Sequence, residues 1–241
     1  MTKIYYHFTN DRLRDDRPVP PVGEWLTHDG DVIMCESGLH ASETPYDALQ
    51  YAPGPMLHQV ELDGIACTHR DKVVAKRRKI VATIDATDLM RTFARKQALT
   101  CIHLWDCPAI TREYLETGRE DIRSAAWNAA RGATRRATVW GSAAWGSAAW
   151  RAAWSAARSV AQSAAADSAW RAAWCASADS AWCAAWCASA DSAWRAAWGA
   201  SADSAEDSAW RATWNDARTA AGEMFNLMVE EAFKERRAGR F

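Results

Sequence analysis

The sequence has no excess of charge of one sign, no long apolar run and no proline beyond residue 108. Its 29 basic and 30 acidic residues give a net charge of −1. This balance argues against a general nucleic-acid-binding protein, which would carry a basic excess. No apolar run approaches the roughly 18–20 residues of a membrane helix, and the N-terminus lacks the segments of a signal peptide. We therefore expect a cytoplasmic protein with no membrane span and no nucleic-acid partner.

Several signatures of specific chemistry are also missing. The seven cysteines are an odd number without a compact framework, so we expect reduced thiols. There is no glycine-rich phosphate loop and no Gly-X-Ser-X-Gly sequence. Cys101, His103 and Cys107 have metal-ligand side chains, but helical spacing leaves Cys101 off the face that the other two share. Zinc needs three or four ligands, so we expect no metal and no other cofactor from these residues.

What the chain has in abundance is tryptophan, and its distribution divides the sequence. Thirteen of the 15 tryptophans lie between Trp127 and Trp214, whereas all six histidines and all seven prolines precede residue 109. This shift predicts an N-terminal domain over residues 1–123, a repeat over 124–222, and a C-terminal capping helix with a basic tail over 223–241.

The N-terminal domain has a mixed pattern that predicts an α+β fold with a small antiparallel or mixed sheet. Thr44 followed by Pro45 is typical of a helix start, and Thr87 begins a second helix. Lys76–Lys79 is a four-residue basic cluster that we interpret as a solvated turn. The segments expected to form strands are Lys3–Thr9, a hairpin within Glu24–Cys35, Gly38–Ser42, Met56–Leu62, Ile65–Cys67 and Lys79–Ile84.

From Ala148 to Thr219 the sequence repeats in units of four residues. The first two positions are mostly Ala or Ser, the third is usually Trp, and the fourth is small or charged. Alanine favours helices, and this stretch contains no proline and only Gly199 as glycine. We expect an α-helical repeat, and a β-solenoid with stacked tryptophans is the alternative.

If the repeat is helical, its indole rings are exposed to water unless another surface covers them. Each tryptophan buries roughly 200 Å², worth several kcal/mol at about 25 cal/mol/Å². We therefore expect the repeat to associate with itself or to bind a protein partner.

Residues 35–52 (CESGLHASETPYDALQYA), with QVELDG from Gln59 and DKVVA from Asp71, carry a resemblance. They resemble an uncharacterised N-terminal domain of phage and prophage proteins, which often precedes long Ala-, Ser- or Gly-rich repeats. The resemblance covers about residues 1–100. It implies a phage or prophage origin, with the host cytoplasm as the location, and no particular activity. Together with the tryptophan repeat it gives the prediction of a phage-type interaction or assembly protein.

A second resemblance concerns chemistry. The strand Tyr6–Thr9 (YHFT), followed by Gly38-Leu39-His40-Ala41-Ser42 and then Tyr51, resembles the nicotinamide pocket of ADP-ribosyltransferases. The resemblance implies that His7 and Thr9 hold the nicotinamide ribose of NAD, that Tyr51 stacks on the nicotinamide, and that Glu61 is the catalytic carboxylate. The chain departs from the pattern at Phe8, where a glycine usually follows the histidine, and at His40, where one branch has tyrosine.

Each candidate also has a structural interpretation. His7 is compatible with a strand histidine bonded to a neighbouring carbonyl, Tyr51 with packing on a short amphipathic helix, and Glu61 with a solvent-facing strand position. Two functions therefore stay open: an interaction or assembly protein that works through its tryptophan repeat, and an ADP-ribosyltransferase-like enzyme or nucleotide-binding protein that uses its N-terminal domain.

Overall fold

The computed structural model of the protein describes residues 2–100, 102–104, 106–139 and 202–239. Most of the tryptophan repeat lies outside these residues, so its helical or solenoid form stays a prediction. The chain divides into two units, one formed by Met1–Leu89 with Gly222–Phe241 and the other by Met90–Ala221. Among the described ranges, no helix is both long enough and apolar enough to cross a bilayer.

The first unit is built on an antiparallel sheet accompanied by helices, which confirms the α+β prediction for the N-terminal region. Its strands run β1 (Tyr5–Thr9), β2 (Trp25–Thr27), β3 (Leu39–Ala41), β4 (Met56–Thr68) and β5 (Val73–Asp85), with helix α1 (Pro45–Leu49) between β3 and β4. The hydrogen-bonded order is β1-β4-β5-β2, and β3 also pairs with β5. Tyr6 and Ser42 exchange backbone hydrogen bonds of 2.8 and 2.9 Å, so that β1 is also joined to the end of β3.

The two long strands β4 and β5 form the centre of the sheet, and their pairing is interrupted at two irregularities. One of them follows Gly64, whose φ of +63° suits glycine. The inward side chains form a buried cluster. Its members are Tyr5, Ala41, Val60, Val73 and Ile80.

Two sequence predictions for this region were wrong. The stretch Lys76–Lys79 lies within strand β5 rather than in a solvated turn. The expected hairpin over Glu24–Cys35 does not form, because β2 pairs with β5 instead of with the apolar residues that follow it. Strand pairing over a long sequence separation accounts for both errors, since local patterning carries no information about a distant partner.

Helix α1 is capped by two side chains. The Thr44 hydroxyl accepts a hydrogen bond of 3.1 Å from the Asp47 backbone N–H, which confirms the predicted N-cap. The Asn226 side-chain carbonyl accepts a second, of 2.9 Å, from the Tyr46 backbone N–H. Asn226 belongs to the last helix, α5 (Ala202–Arg237), whose Phe225, Val229 and Phe233 are buried.

The second unit is helical where it is described. Its elements are α2 (Thr87–Thr100), whose first residues belong to the first unit, α3 (Ala109–Thr117), α4 (Arg123–Val139), the part of α5 up to Ala221, and two short 3-10 turns, Ile102–Leu104 and Glu120–Ile122. A buried cluster holds them together, and α3 ends at Gly118 with φ +71°. The members of that cluster are Ala98, Ile102, Tyr114, Leu115 and Ala126.

Candidate functional site

A cavity of about 560 Å³ lies in the first unit. Strand β1, the loop over residues 12–17, residues 35–42, helix α1 with the residues after it, and two basic side chains of the β4–β5 hairpin border the cavity. This volume falls in the range of small-molecule binding sites, roughly 300–1,000 Å³.

Three of the four residues selected from the sequence border this one cavity. His7 and Thr9 lie on β1, and Tyr51 lies just after α1. Their clustering follows from the fold, because α1 packs beside β1. The NAD-binding roles implied by the resemblance stay predictions.

Glu61 does not border the cavity. Its carboxylate lies 2.5 Å from the Lys79 ammonium, on the directly opposite position of the neighbouring strand. Such a cross-strand pair of opposite charges stabilises a sheet. Asp15 and Glu36 are the acidic side chains that do border the cavity, and Asp15 is held by Arg17 through contacts of 2.7 and 2.9 Å.

The main feature that sequence reasoning missed is Arg78. Its side chain borders the cavity and the residue is only 6% exposed. One guanidinium nitrogen donates a 2.7 Å hydrogen bond to the His40 backbone carbonyl. Among the described residues, no carboxylate forms an ion pair with it. Burial lowers the pKa of Arg78 to about 10, and the charge of Asp15 opposes this only in part, so the side chain is charged at neutral pH.

The alternation of β5 explains why Arg78 points inward. Its neighbours Arg77 and Lys79 lie over the Trp25 ring, at 4.6 and 5.0 Å from the ring centroid, and pair with Asp63 and Glu61 on β4. Because successive side chains of a strand point to opposite faces, the residue between them faces the other way. This alternation within the basic cluster was the signal that could have identified Arg78.

His7 and His40, which border the cavity, are neutral at pH 7. Burial is the main cause that lowers the pKa of His7 well below its ordinary value, and nearby Arg78 lowers it further. Burial also lowers the pKa of His40, whose Nε2 accepts a 3.1 Å hydrogen bond from the Cys35 backbone N–H. A nitrogen that accepts carries no hydrogen, so His40 presents a fixed neutral tautomer.

The mouth of the cavity carries an aromatic and basic cluster. The Tyr51 ring is 45% exposed, and its hydroxyl donates a 2.6 Å hydrogen bond to Asp71. The Lys72 ammonium lies 4.7 Å from the centre of the same ring. Burial, then the hydrogen bond to Asp71, raises the pKa of Tyr51, so the ring stays a neutral, anchored surface on which a flat group can stack.

Gly38 brings two chain segments together beside the cavity. Its φ is +110°, and a side chain there would come within 2.7 Å of Val74 and 2.9 Å of Val32. This close approach requires glycine. Gly38, in the sequence Gly38-Leu39-His40, is therefore required by the backbone conformation, and it also borders the cavity.

The surroundings of the cavity are basic. Arg12, Arg14, Arg17, Lys72 and Arg78 border it, against the two acidic residues. Within the described part of the chain, no group of three or more His, Cys, Asp or Glu side chains could hold a metal ion. The arrangement can therefore bind an anion through Arg78, offer neutral hydrogen-bonding groups beside it, and stack a ring at Tyr51.

Comparison with known proteins places the cavity within a domain that is recognised elsewhere. No curated protein and no solved structure matches the chain. Residues 3–92, which include every residue bordering the cavity, match the family model of a domain of unknown function, DUF7666.

Proposed function

We propose that the N-terminal domain binds a nucleotide-type anion of the NAD or ADP-ribose class in its cavity. Of the two functions left open by the sequence, the contents of the cavity favour this one. The observation that supports it is Arg78, a buried guanidinium at the cavity with no described carboxylate as ion-pair partner. A buried charge without a counter-ion is costly, and a bound diphosphate would compensate it.

The other groups fit the same ligand class. Guanidinium groups bind phosphate oxygens in a two-pronged geometry. His7 and Thr9 offer neutral partners for sugar hydroxyls, and Tyr51 offers a ring for a base or a nicotinamide. The proposal is one of binding and not of transfer, because the Glu61 carboxylate is paired with Lys79 away from the cavity.

Calorimetric titration of the full-length chain with ADP-ribose, NAD and inorganic pyrophosphate tests the proposal. We expect saturable binding of ADP-ribose at one site per chain. In Arg78→Met, affinity should fall by about 10- to 150-fold, since a hydrogen bond to a charged group contributes about 1.5–3 kcal/mol.

The neighbouring Arg77 supplies a matched control. Its side chain pairs with Asp63 at 3.0 Å and does not border the cavity. Arg77→Met should bind ADP-ribose as the unmodified chain does. Absence of saturable heat with all three compounds, or equal weakening in both variants, would overturn the proposal.

We also propose that the tryptophan repeat mediates self-association or binding to a protein partner. This second function is supported by the sequence alone, through the 13 tryptophans between Trp127 and Trp214 and the apolar area that each must cover. A phage-type origin is part of the same proposal.

A further inference from the structure

A buried histidine on strand β4, beside β1, links two threonine hydroxyls. His58 is only 2% exposed. Its Nε2 lies 2.8 Å from the Thr9 hydroxyl and its Nδ1 lies 2.8 Å from the Thr83 hydroxyl. His58 on β4 is directly opposite His7 on β1 and Thr83 on β5, so one polar row crosses three strands.

The tautomer of His58 decides whether the hydroxyl of each threonine donates or accepts a hydrogen bond. Burial, with a contribution from Arg78, lowers the pKa of His58 to about 4, so the ring is neutral at pH 7. One nitrogen of a neutral imidazole donates and the other accepts. If Nε2 donates, Thr9 accepts and keeps its own hydrogen for another partner. If Nδ1 donates, Thr9 gives its hydrogen to Nε2.

His58 also contacts the second cavity residue of β1. Its ring is stacked on the ring of His7, with centroids 6.5 Å apart and an angle of 26° between the planes. His7 and Thr9 both border the cavity, whereas His58 and Thr83 do not. His58 therefore contacts both candidate ligand groups of this strand without bordering the cavity itself.

We propose that His58 is a positioning residue of the cavity, which sets the hydrogen-bonding role of Thr9 and the ring orientation of His7, and that Thr83 anchors the His58 ring through Nδ1. The inference rests on the proposed binding of an ADP-ribose-class ligand. A purely structural His58 would affect the stability of the fold but would leave the affinity of the folded protein for its ligand unchanged.

Thr83→Val tests this with little disturbance of shape, because it removes one hydroxyl outside the cavity. Thr111→Val is the control for the loss of one threonine hydroxyl elsewhere, since the buried Thr111 hydroxyl donates a 3.1 Å hydrogen bond to the Ala126 carbonyl in the second unit. Thr83→Ser retains the hydroxyl and should restore the behaviour of the unmodified chain. Each full-length variant is titrated with ADP-ribose, and its histidine ring nitrogens are observed by NMR.

We expect Thr83→Val to weaken ADP-ribose binding by about five- to tenfold, the effect of one lost hydrogen bond. The ring-nitrogen signals of His58 should shift, because Nδ1 loses its hydrogen-bond partner, and those of His7 should shift with them. Thr111→Val should change neither. Unchanged affinity in Thr83→Val, or His7 signals identical to those of the unmodified chain, would overturn the inference.

Failure of the proposed function gives a different result. If the unmodified chain does not bind ADP-ribose, the ligand assignment is wrong, but the ring-nitrogen spectra of the free protein still decide the positioning role. A shift of the His7 signals in Thr83→Val supports the role without any ligand, and its absence rejects it.

Discussion

Arg78 is the residue on which the proposed anion binding depends. Its guanidinium makes one described hydrogen bond, to the His40 carbonyl, and no described ion pair. A structural buried arginine is ordinarily paired with a carboxylate, and breaking such a pair costs about 3–5 kcal/mol. The environment of Arg78 instead resembles that of a group retained for its ligand at a cost in stability.

Arg78→Met should therefore change the unfolding free energy of the first unit by less than about 1 kcal/mol, because the loss of one hydrogen bond is offset by removal of a buried charge. Native-state hydrogen exchange of the β4 and β5 amides measures this locally. A loss of 3 kcal/mol or more would mean that Arg78 serves the fold.

His58 makes the stability of the first unit depend on pH. Its pKa is about 4 in the folded protein against an ordinary value of 6.5. Between these values the unfolded chain binds the proton and the folded chain does not, so the contribution of His58 is complete above pH 6.5 and is lost as the pH falls toward 4. The difference corresponds to roughly 3 kcal/mol.

The variant His58→Gln isolates this effect from the titration of carboxylates. We expect the unmodified chain to exceed the variant in unfolding free energy most at pH 7.5, with a gap that narrows at pH 6 and pH 5. Urea denaturation at these pH values measures the gap. A gap that does not vary with pH would show that His58 titrates normally.

At the scale of elements, the last helix supports the helix that bears the cavity wall. Asn226 of α5 accepts from the Tyr46 N–H at the start of α1, and the Phe225 ring lies 6.4 Å from the Tyr46 ring. Ala48 of α1 and Tyr51 just after it border the cavity. Residues 222–237 thus belong to the unit of the N-terminal domain, and the capping of the repeat by residues 223–241 stays a prediction.

Asn226→Ala should speed amide hydrogen exchange across residues 46–52, because a lost helix cap costs about 1 kcal/mol. Asn226→Asp keeps an acceptor and should exchange as the unmodified chain does. Leu227→Ala is the control on the same helix, since Leu227 is 65% exposed. Equal exchange in Asn226→Ala and Leu227→Ala would refute the cap.

Local sequence patterns were sufficient for some elements and failed for others. Thr44 and Pro45 predicted the start of α1, because a helix cap depends only on residues close together in the sequence. Thr87 likewise predicted the start of α2. Strand β5 was only partly predicted, because its basic residues are stabilised by Trp25, Glu61 and Asp63 from other strands.

Some residues of the candidate site were likewise found from the sequence, and others were missed. His7, Thr9 and Tyr51 were found through a resemblance in sequence order, and the fold brings them to one cavity. Arg78 and His58 were missed because their proposed roles depend on burial and on hydrogen-bond partners that lie 25 to 49 residues away in the sequence. Nothing in the local sequence of His58 marks its contacts with two threonines.

At the scale of the whole molecule, the tryptophan repeat predicts self-association. Sedimentation of the full-length chain over a range of concentrations should show species larger than the 26.7 kDa chain, because exposed indole rings favour burial. A single monomeric species at all concentrations, in the absence of a partner, would contradict self-association through the repeat.

The proposed function requires the cavity of the N-terminal unit to hold a nucleotide-type anion at Arg78. A structure of the full-length chain determined with ADP-ribose tests it most directly. We predict that a diphosphate oxygen lies about 2.7–2.9 Å from an Arg78 guanidinium nitrogen, with a ring of the ligand on Tyr51. ADP-ribose bound at another place on the chain, or a cavity that stays empty at saturating ligand, would contradict the claim.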